Sequence, residues 1–259
     1  MSLRLTDSQR TALLTLLEDE ERLRAEFPAV ANYLEAAPLL RGTESIERDA
    51  AFDLAFAHAL TSHEGLNPYW SLVEPFISTV DGMPVVDGGS ASGSPRLAFA
   101  ATILQDVFAH AIPAPATIEW ITSISQGQSL VDIGAGRGYW AAHLAAAGLR
   151  VSAYDIVVPQ KTWHQVKELE DDLWSSMGDQ VLLLCWPPGW GDPMASTVID
   201  KFTESGGTRL IYIGEPQGGK TGNDTFFRAL ASNWRLESTD PQFVRWWNMN
   251  DRAEYWVRP

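Results

Sequence analysis

The stretch of this 259-residue chain richest in possible chemistry is VDIGAGRGYWAAHLAAAGLRVSAYDI, residues 131–156. An apolar run reads as a strand that passes straight into a turn carrying Gly134, Gly136 and Gly138. Glycine tolerates positive φ and lets another group approach the backbone closely, so three at alternate positions suit a turn that faces a ligand. The Ala-rich segment 139–147 reads as a helix closed by Gly148, and 150–156 as a second strand. That strand ends in Asp155, 21 residues beyond Gly134, where a carboxylate can accept both hydroxyls of a ribose. A lone G-x-G says little; strand, Gly turn, helix, strand and acid together specify a nucleotide-type ligand.

Two nucleotide chemistries compete for this unit. A dinucleotide fold uses G-x-G-x-x-G and leaves a helix N-terminus free for a pyrophosphate. Here the spacing is Gly134-x-Gly136-x-Gly138, preceded by Asp132. The pattern (D/E)-x-G-x-G-x-G resembles motif I of class I S-adenosylmethionine (SAM) dependent methyltransferases, whose cofactor carries no phosphate. The resemblance covers about 117–259. It implies an α/β fold with a Rossmann-like, mostly parallel seven-stranded sheet, helices on both faces and an antiparallel pair at the end. It also implies that the turn packs against the methionine end of the cofactor, and that Asp132 helps hold the amino-acid moiety, directly or through water. Asp155 would bind the ribose. In that family the adenine meets an acid or small polar group after the third strand. With 165–169 as that strand, Glu168 or the Asp171–Asp172 pair is expected there. The expected cofactor residues are thus Asp132, Gly134, Gly136, Gly138, Asp155 and Glu168, and the product is S-adenosylhomocysteine (SAH).

A second block, VLLLCWPPGWGDPM at 181–194, falls where the resemblance places motif IV. Methyltransferases that act on amino or amide nitrogen often carry (D/N)-P-P-(Y/F/W) there. This chain has Trp186-Pro187-Pro188-Gly189, so the acceptor side chain and the aromatic are both absent from their places, with Trp190 one position later. The double proline predicts a rigid turn at the rim of the site. Trp186, Pro187 and Trp190 are expected to bind substrate, as are Tyr69 and Trp70 from the first third. Glu215 ends a further strand, at the edge where open α/β sheets place ligands, and is a candidate general base. His63, beside Glu64, Asn67, Tyr69 and Trp70, and His164, soon after the ribose acid, are the other two. The run G-G-K-T-G at 218–222 lacks the G-x(4)-G-K-(S/T) spacing of a phosphate loop and reads as a mobile loop over the pocket. The five histidines do not pair at ligand spacing, so no metal is expected.

These groups need elements to position them. From 129 onward, strands and helices alternate: strands at 129–134, 150–156, 181–186 and 209–214, helices at 139–147, 194–204 and 226–231, and two tail strands at 243–248 and 253–257. Alternation with continuous apolar strands implies a parallel sheet covered on both faces. The first third reads as helix, with Thr6 or Asp7 capping the first segment and further helices at 28–37, 45–60, 97–111 and 117–124. Residues 81–96, rich in Gly, Ser and Pro, are the best linker candidate. The expected organisation is a helical substrate cap at 1–110 followed by a SAM-binding domain at 111–259.

Composition narrows the partners. A net charge of −14, with no basic cluster, opposes duplex nucleic acid, which rewards a basic stripe that displaces counterions. No apolar run reaches the ~20 residues of a membrane span. Residues 1–20 mix Arg, Asp and Glu into a Leu-rich pattern and do not read as a secretory signal. The single cysteine, Cys185, fits a reducing cytoplasm. The expectation is a cytoplasmic enzyme methylating nitrogen or oxygen of a small molecule or peptide. Amino-group methylation of nucleic acid and a SAM-binding scaffold without catalysis are the alternatives. The sequence does not specify an oligomeric state.

Overall fold

The computed structural model describes residues 3–62, 67–88 and 93–259. The chain divides into two compact units, Met1–Phe108 with Trp246–Asn248, and Ala109–Arg245 with Met249–Pro259.

The first unit holds α1 (Asp7–Glu18), α2 (Glu20–Glu26), α3 (Pro28–Ala36), α4 (Ile46–Ser62) and α5 (Pro68–Val73). Thr6 caps α1 in a reciprocal box: its hydroxyl accepts from the Gln9 amide and the Gln9 side chain accepts from the Thr6 amide. The core is aromatic, with Tyr33 fully buried and its ring centroid 4.1 Å from that of Phe56. The Tyr33 hydroxyl donates to Asp53 Oδ1 at 2.7 Å, and Arg96 pairs with Asp53 Oδ2 at 3.2 Å. A hairpin follows, β1 (Ile77–Val80) and β2 (Met83–Val86), then α6 (Pro95–Val107). Asp81 and Gly82 both take positive φ, +50° and +79°, which matches the twist of a two-residue hairpin turn. This corrects the expected linker at 81–96: part of it is a strand paired in register, and the break between units comes at 108–109. A turn signal and a linker signal share the same residue types, and only strand pairing separates them.

The second unit comprises α7 (Pro115–Ser125), β3 (Leu130–Ile133), α8 (Tyr139–Ala146), β4 (Val151–Asp155), β5 (Val166–Glu168), β6 (Val181–Cys185), α9 (Met194–Glu204), β7 (Arg209–Gly214), α10 (Asp224–Asn233) and β8 (Arg235–Thr239). The two-residue β9 (Arg245–Trp246) and the closing β10 (Arg252–Val257) complete the chain. The large sheet has the order β5-β4-β3-β6-β7-β10-β8. Strands β3 to β7 pair in parallel, and β10 is antiparallel to both β7 and β8. This is a mostly parallel, Rossmann-like seven-stranded sheet with helices on both faces, closing on the antiparallel pair that the resemblance implies. The tail is corrected in one respect. Residues 243–248 supply no strand to this sheet: β9 joins β1 and β2, and the edge strand is β8.

Side-chain alternation sends successive residues of each strand to opposite faces. Val131, Ile133, Leu182, Leu184, Leu210 and Tyr212 pack under α9 and α10, with Phe202 and Phe226 at the centre. Leu130, Leu183, Ile211, Ile213, Ala253 and Tyr255 pack under α7 and α8, around Ile121, Trp140 and Leu144. Among the described residues, no helix is long and apolar enough to cross a membrane.

Candidate functional site

The Gly turn joins β3 to α8 at the C-terminal edge of the parallel strands. Gly134, Gly136 and Gly138 take φ of +76°, +54° and +70°, the left-handed region that excludes most side chains. The turn spends its own amides. Gly134 and Ala135 both donate to the Tyr154 carbonyl, at 2.9 and 3.0 Å, and Gly138 donates to Ala135 O at 2.8 Å. Asp155, ending β4, accepts from the Gly136 amide through Oδ2 at 2.8 Å and from Val157 through Oδ1 at 3.2 Å. A phosphate needs such amides free. Four amides of the turn are thus closed to a phosphate, which agrees with a ligand that meets this turn by packing, although no side chain caps the first turn of α8. The carboxylate of Asp155 keeps spare lone pairs for a ligand hydroxyl.

Beyond the turn, on the α9 face, lies a cavity of about 550 Å³ lined by Ile133, Gly134, Asp155, Ile156, Leu169, Trp174, Trp186, Pro187, Pro188 and Met194, among others. Its size and mixed lining, apolar side chains with Asp155, Asp171, Asp192 and Lys201 at the rim, suit a small ligand. Glu168 pairs with Asp155 at the end of β5 and is exposed, whereas Leu169 and Asp171 face the cavity. Asp171 is held there by an ion pair to Lys201.

On the opposite face of the same edge, strand alternation gathers acids. Asp132 is 1% exposed and, among the described residues, its Oδ1 has no hydrogen-bond partner. Burial, and then the charge of Asp155, push its carboxyl up to about 7. Cys185 shares this face, and burial with the nearby charges of Asp132 and Asp251 pushes its thiol up. Asp251 is 2% exposed. Its Oδ2 accepts the Trp186 indole N–H at 3.0 Å, and its Oδ1 has no partner among the described residues. Burial pushes this carboxyl up to about 7 as well, helped by the charge of Glu215 and opposed by the Trp186 hydrogen bond, Lys220 and Arg245.

The Pro-Pro turn links the two faces. Trp186 takes φ +56°, rare for a bulky residue, and lines the cavity while its indole reaches Asp251. His110 stacks on it with ring centroids 4.8 Å apart and planes 17° apart. Pro188 bridges to Thr221, and Gly189 lies so close that an added Cβ would stand 2.4 Å from the Lys220 carbonyl oxygen. The turn is rigid because the 220–222 segment holds it.

The remaining expected residues divide. Glu215 is at the edge and buried, but its two oxygens accept from the Lys220 amide (2.6 Å) and the Asn250 amide (2.9 Å), tying two loops together. His164 packs behind Gly138, with Nε2 3.2 Å from the Val151 carbonyl; only a protonated nitrogen can bond there. Trp190 is 86% exposed and outside the cavity lining. In the first unit, Tyr69 is fully buried and its hydroxyl accepts from the Trp246 indole at 2.9 Å, so the ring belongs to that core; Trp70 is half-buried. His63 and Glu64 lie outside the described residues. Among the described residues, no group of three His, Cys, Asp or Glu could hold a metal.

Sequence reasoning missed Asp251 and His110. Asp251 had a readable signal: a strand antiparallel to the rest begins at the edge where the parallel ones end, so an acid just before β10 lands near the ends of β7 and β6. His110, in a loop before α7, had none.

No protein-family model matches the chain, and no curated protein matches it. Among solved structures, magnesium protoporphyrin IX methyltransferase (ChlM) from Synechocystis PCC 6803 with bound SAM is 14% identical, over 63% of this chain and 83% of that one, with a TM-score of 0.39. A point mutant of MtNAS in complex with SAM is 13% identical over 99% and 93%, TM-score 0.40. N,N-8-amino-8-demethyl-D-riboflavin dimethyltransferase (RosA) from Streptomyces davawensis is 12% identical over 64% and 58%, TM-score 0.38. Scores this low leave the site and its chemistry to be argued from this chain's own residues.

Proposed function

We propose that the protein is a SAM-dependent methyltransferase acting on nitrogen or oxygen of a small molecule or peptide. The observation that carries this reading is Asp132, a buried carboxylate beside the Gly turn with one oxygen lacking any partner. Leaving a buried acceptor unmade is costly, and a cationic ligand group removes the cost. The ammonium of a methionine moiety is such a group, and the turn's spent amides weigh against the phosphate alternative. The residues present therefore fit SAM: Asp132 for the amino-acid end, the three glycines for close packing, Asp155 for the ribose, and Ile156, Leu169 and Asp171 for the adenine end. Bound SAM supplies an electrophilic methyl on a sulfonium. The chain's part is to align an acceptor with it and exclude water, and Pro187 and Pro188, locked by Thr221 and Gly189, form a rigid wall for that purpose. The helical first unit is proposed to select the acceptor, and a reducing, cytoplasmic setting fits the single thiol.

Turnover tests the reading. Protein incubated with SAM and a panel of amine and hydroxyl acceptors should release SAH in an acceptor-dependent way that Asp155→Ala abolishes. Tight cofactor binding without SAH release from any acceptor would replace the enzyme by a SAM-binding scaffold.

A further inference from the structure

Asp251 is a second buried carboxylate with an unpartnered oxygen, and the cofactor reading above gives it no task. Its surroundings describe a recognition site. One oxygen is fixed by the Trp186 indole N–H, and that indole is held by His110 stacking on its face and by a backbone in the left-handed region. The other oxygen, Oδ1, is buried without a donor. The same Trp186 forms part of the cavity wall. A rigid aromatic plane next to a carboxylate short of one donor suits a protonated amine, which offers N–H donors to the oxygen and positive charge to the ring. No other carboxylate in this group is open to the task. Glu215 already accepts from two backbone amides, and Asp132 is committed to the cofactor's amino-acid end.

We propose that Asp251, held by Trp186, anchors a protonated amine of the acceptor, so that the protein's substrates are amines. This rests on the methyltransferase reading and names the substrate class for its site. Around Asp251 are the Glu215 carboxylate, the Cys185 thiol kept protonated by burial, and the weaker opposing charges of Lys220 and Arg245. With the Asp251 carboxyl pushed up to about 7, lowering the pH through that value neutralises it and releases the amine.

The test titrates 2-phenylethylamine and its uncharged counterpart 2-phenylethanol into wild-type protein, with and without saturating SAH. The amine should bind at least about tenfold more tightly than the alcohol, and Asp251→Asn should erase that preference while SAH affinity stays unchanged. Should the variant fold poorly, the wild-type pH profile serves instead: the amine preference should fall between about pH 8 and pH 6. Equal binding of the two probes, no amine binding at millimolar concentration, or a preference that survives both Asp251→Asn and acidification would overturn the proposal. Failure of SAH to bind would remove the methyltransferase reading, yet the titrations without SAH would still decide the amine site.

Discussion

Replacing Asp132 by asparagine should remove a pH-dependent loss of stability from the ligand-free protein and leave the cofactor site useless. The Asp132 carboxyl goes from 3.8 in an ordinary setting to about 7 in the folded protein, because burial penalises its charged form. Between these values the folded state holds a proton that the unfolded chain releases. Stability contributed by the protonated carboxyl is therefore lost as pH rises from about 4 to about 7. At about 1.4 kcal/mol per pKa unit, the wild type should lose on the order of 2–3 kcal/mol through this group between pH 5 and pH 8. Asp251 behaves alike but is present in both proteins and cancels. The buried amide that the substitution introduces carries its own penalty, which does not vary with pH and also cancels. Urea unfolding of wild type and Asp132→Asn at pH 5 and pH 8 reads the difference directly, provided the m-values agree. The variant should gain on the order of 2–3 kcal/mol on the wild type between the two pH values. If the stabilities of the two proteins change alike between pH 5 and pH 8, within about 0.5 kcal/mol, Asp132 has a counter-charge in the free protein and its unpartnered oxygen is no sign of a ligand.

Two further substitutions test how the rim is held. Gly189→Ala would set a Cβ 2.4 Å from the Lys220 carbonyl oxygen, a backbone atom with little room to yield. It should cost about 1–3 kcal/mol in thermal or urea unfolding, and a variant as stable as wild type would mean the Pro-Pro turn is not clamped there. Thr221→Val keeps the shape but strips the hydroxyl that accepts from the Glu215 amide and bonds Tyr212, both at 2.7 Å in a fully buried setting. Leaving the Glu215 amide unpaired should cost about 1–3 kcal/mol, measured the same way; a loss below about 0.5 kcal/mol would contradict the hydrogen-bond assignment.

The parts of this protein that sequence made plain are those where one local signal has one structural solution. The run 130–133 followed by three alternating glycines could only be a strand entering a turn with positive φ, and α9, at Met194–Glu204, is bounded by Pro193 before it and Gly206–Gly207 after it. The strand at 165–169 was not legible from its own residues and was expected only from the resemblance, which places one after the ribose acid; the structure has it as β5, Val166–Glu168. What failed depended on partners distant in sequence. β8 is short, polar and exposed at a sheet edge, so its residues carry no apolar alternation, while the strand expected at 243–248 is reduced to the two residues of β9 and belongs to the small sheet with β1 and β2. In the site, the Gly turn and Asp155 followed from spacing. Asp251, His110 and the binding of Glu215 by two loop amides depend on which strand ends meet at one edge, and topology alone determines that.

The central claim is that the edge formed by Asp132, the Gly turn and Asp155 binds SAM. Calorimetric titration of SAH into wild-type protein and Asp155→Ala addresses it most directly. The account predicts micromolar binding to the wild type and a loss of about a hundredfold or more in the variant, which gives up both its ribose contact and the Gly136 hydrogen bond that shapes the turn. Absence of SAH binding to folded wild-type protein at millimolar concentration would contradict it.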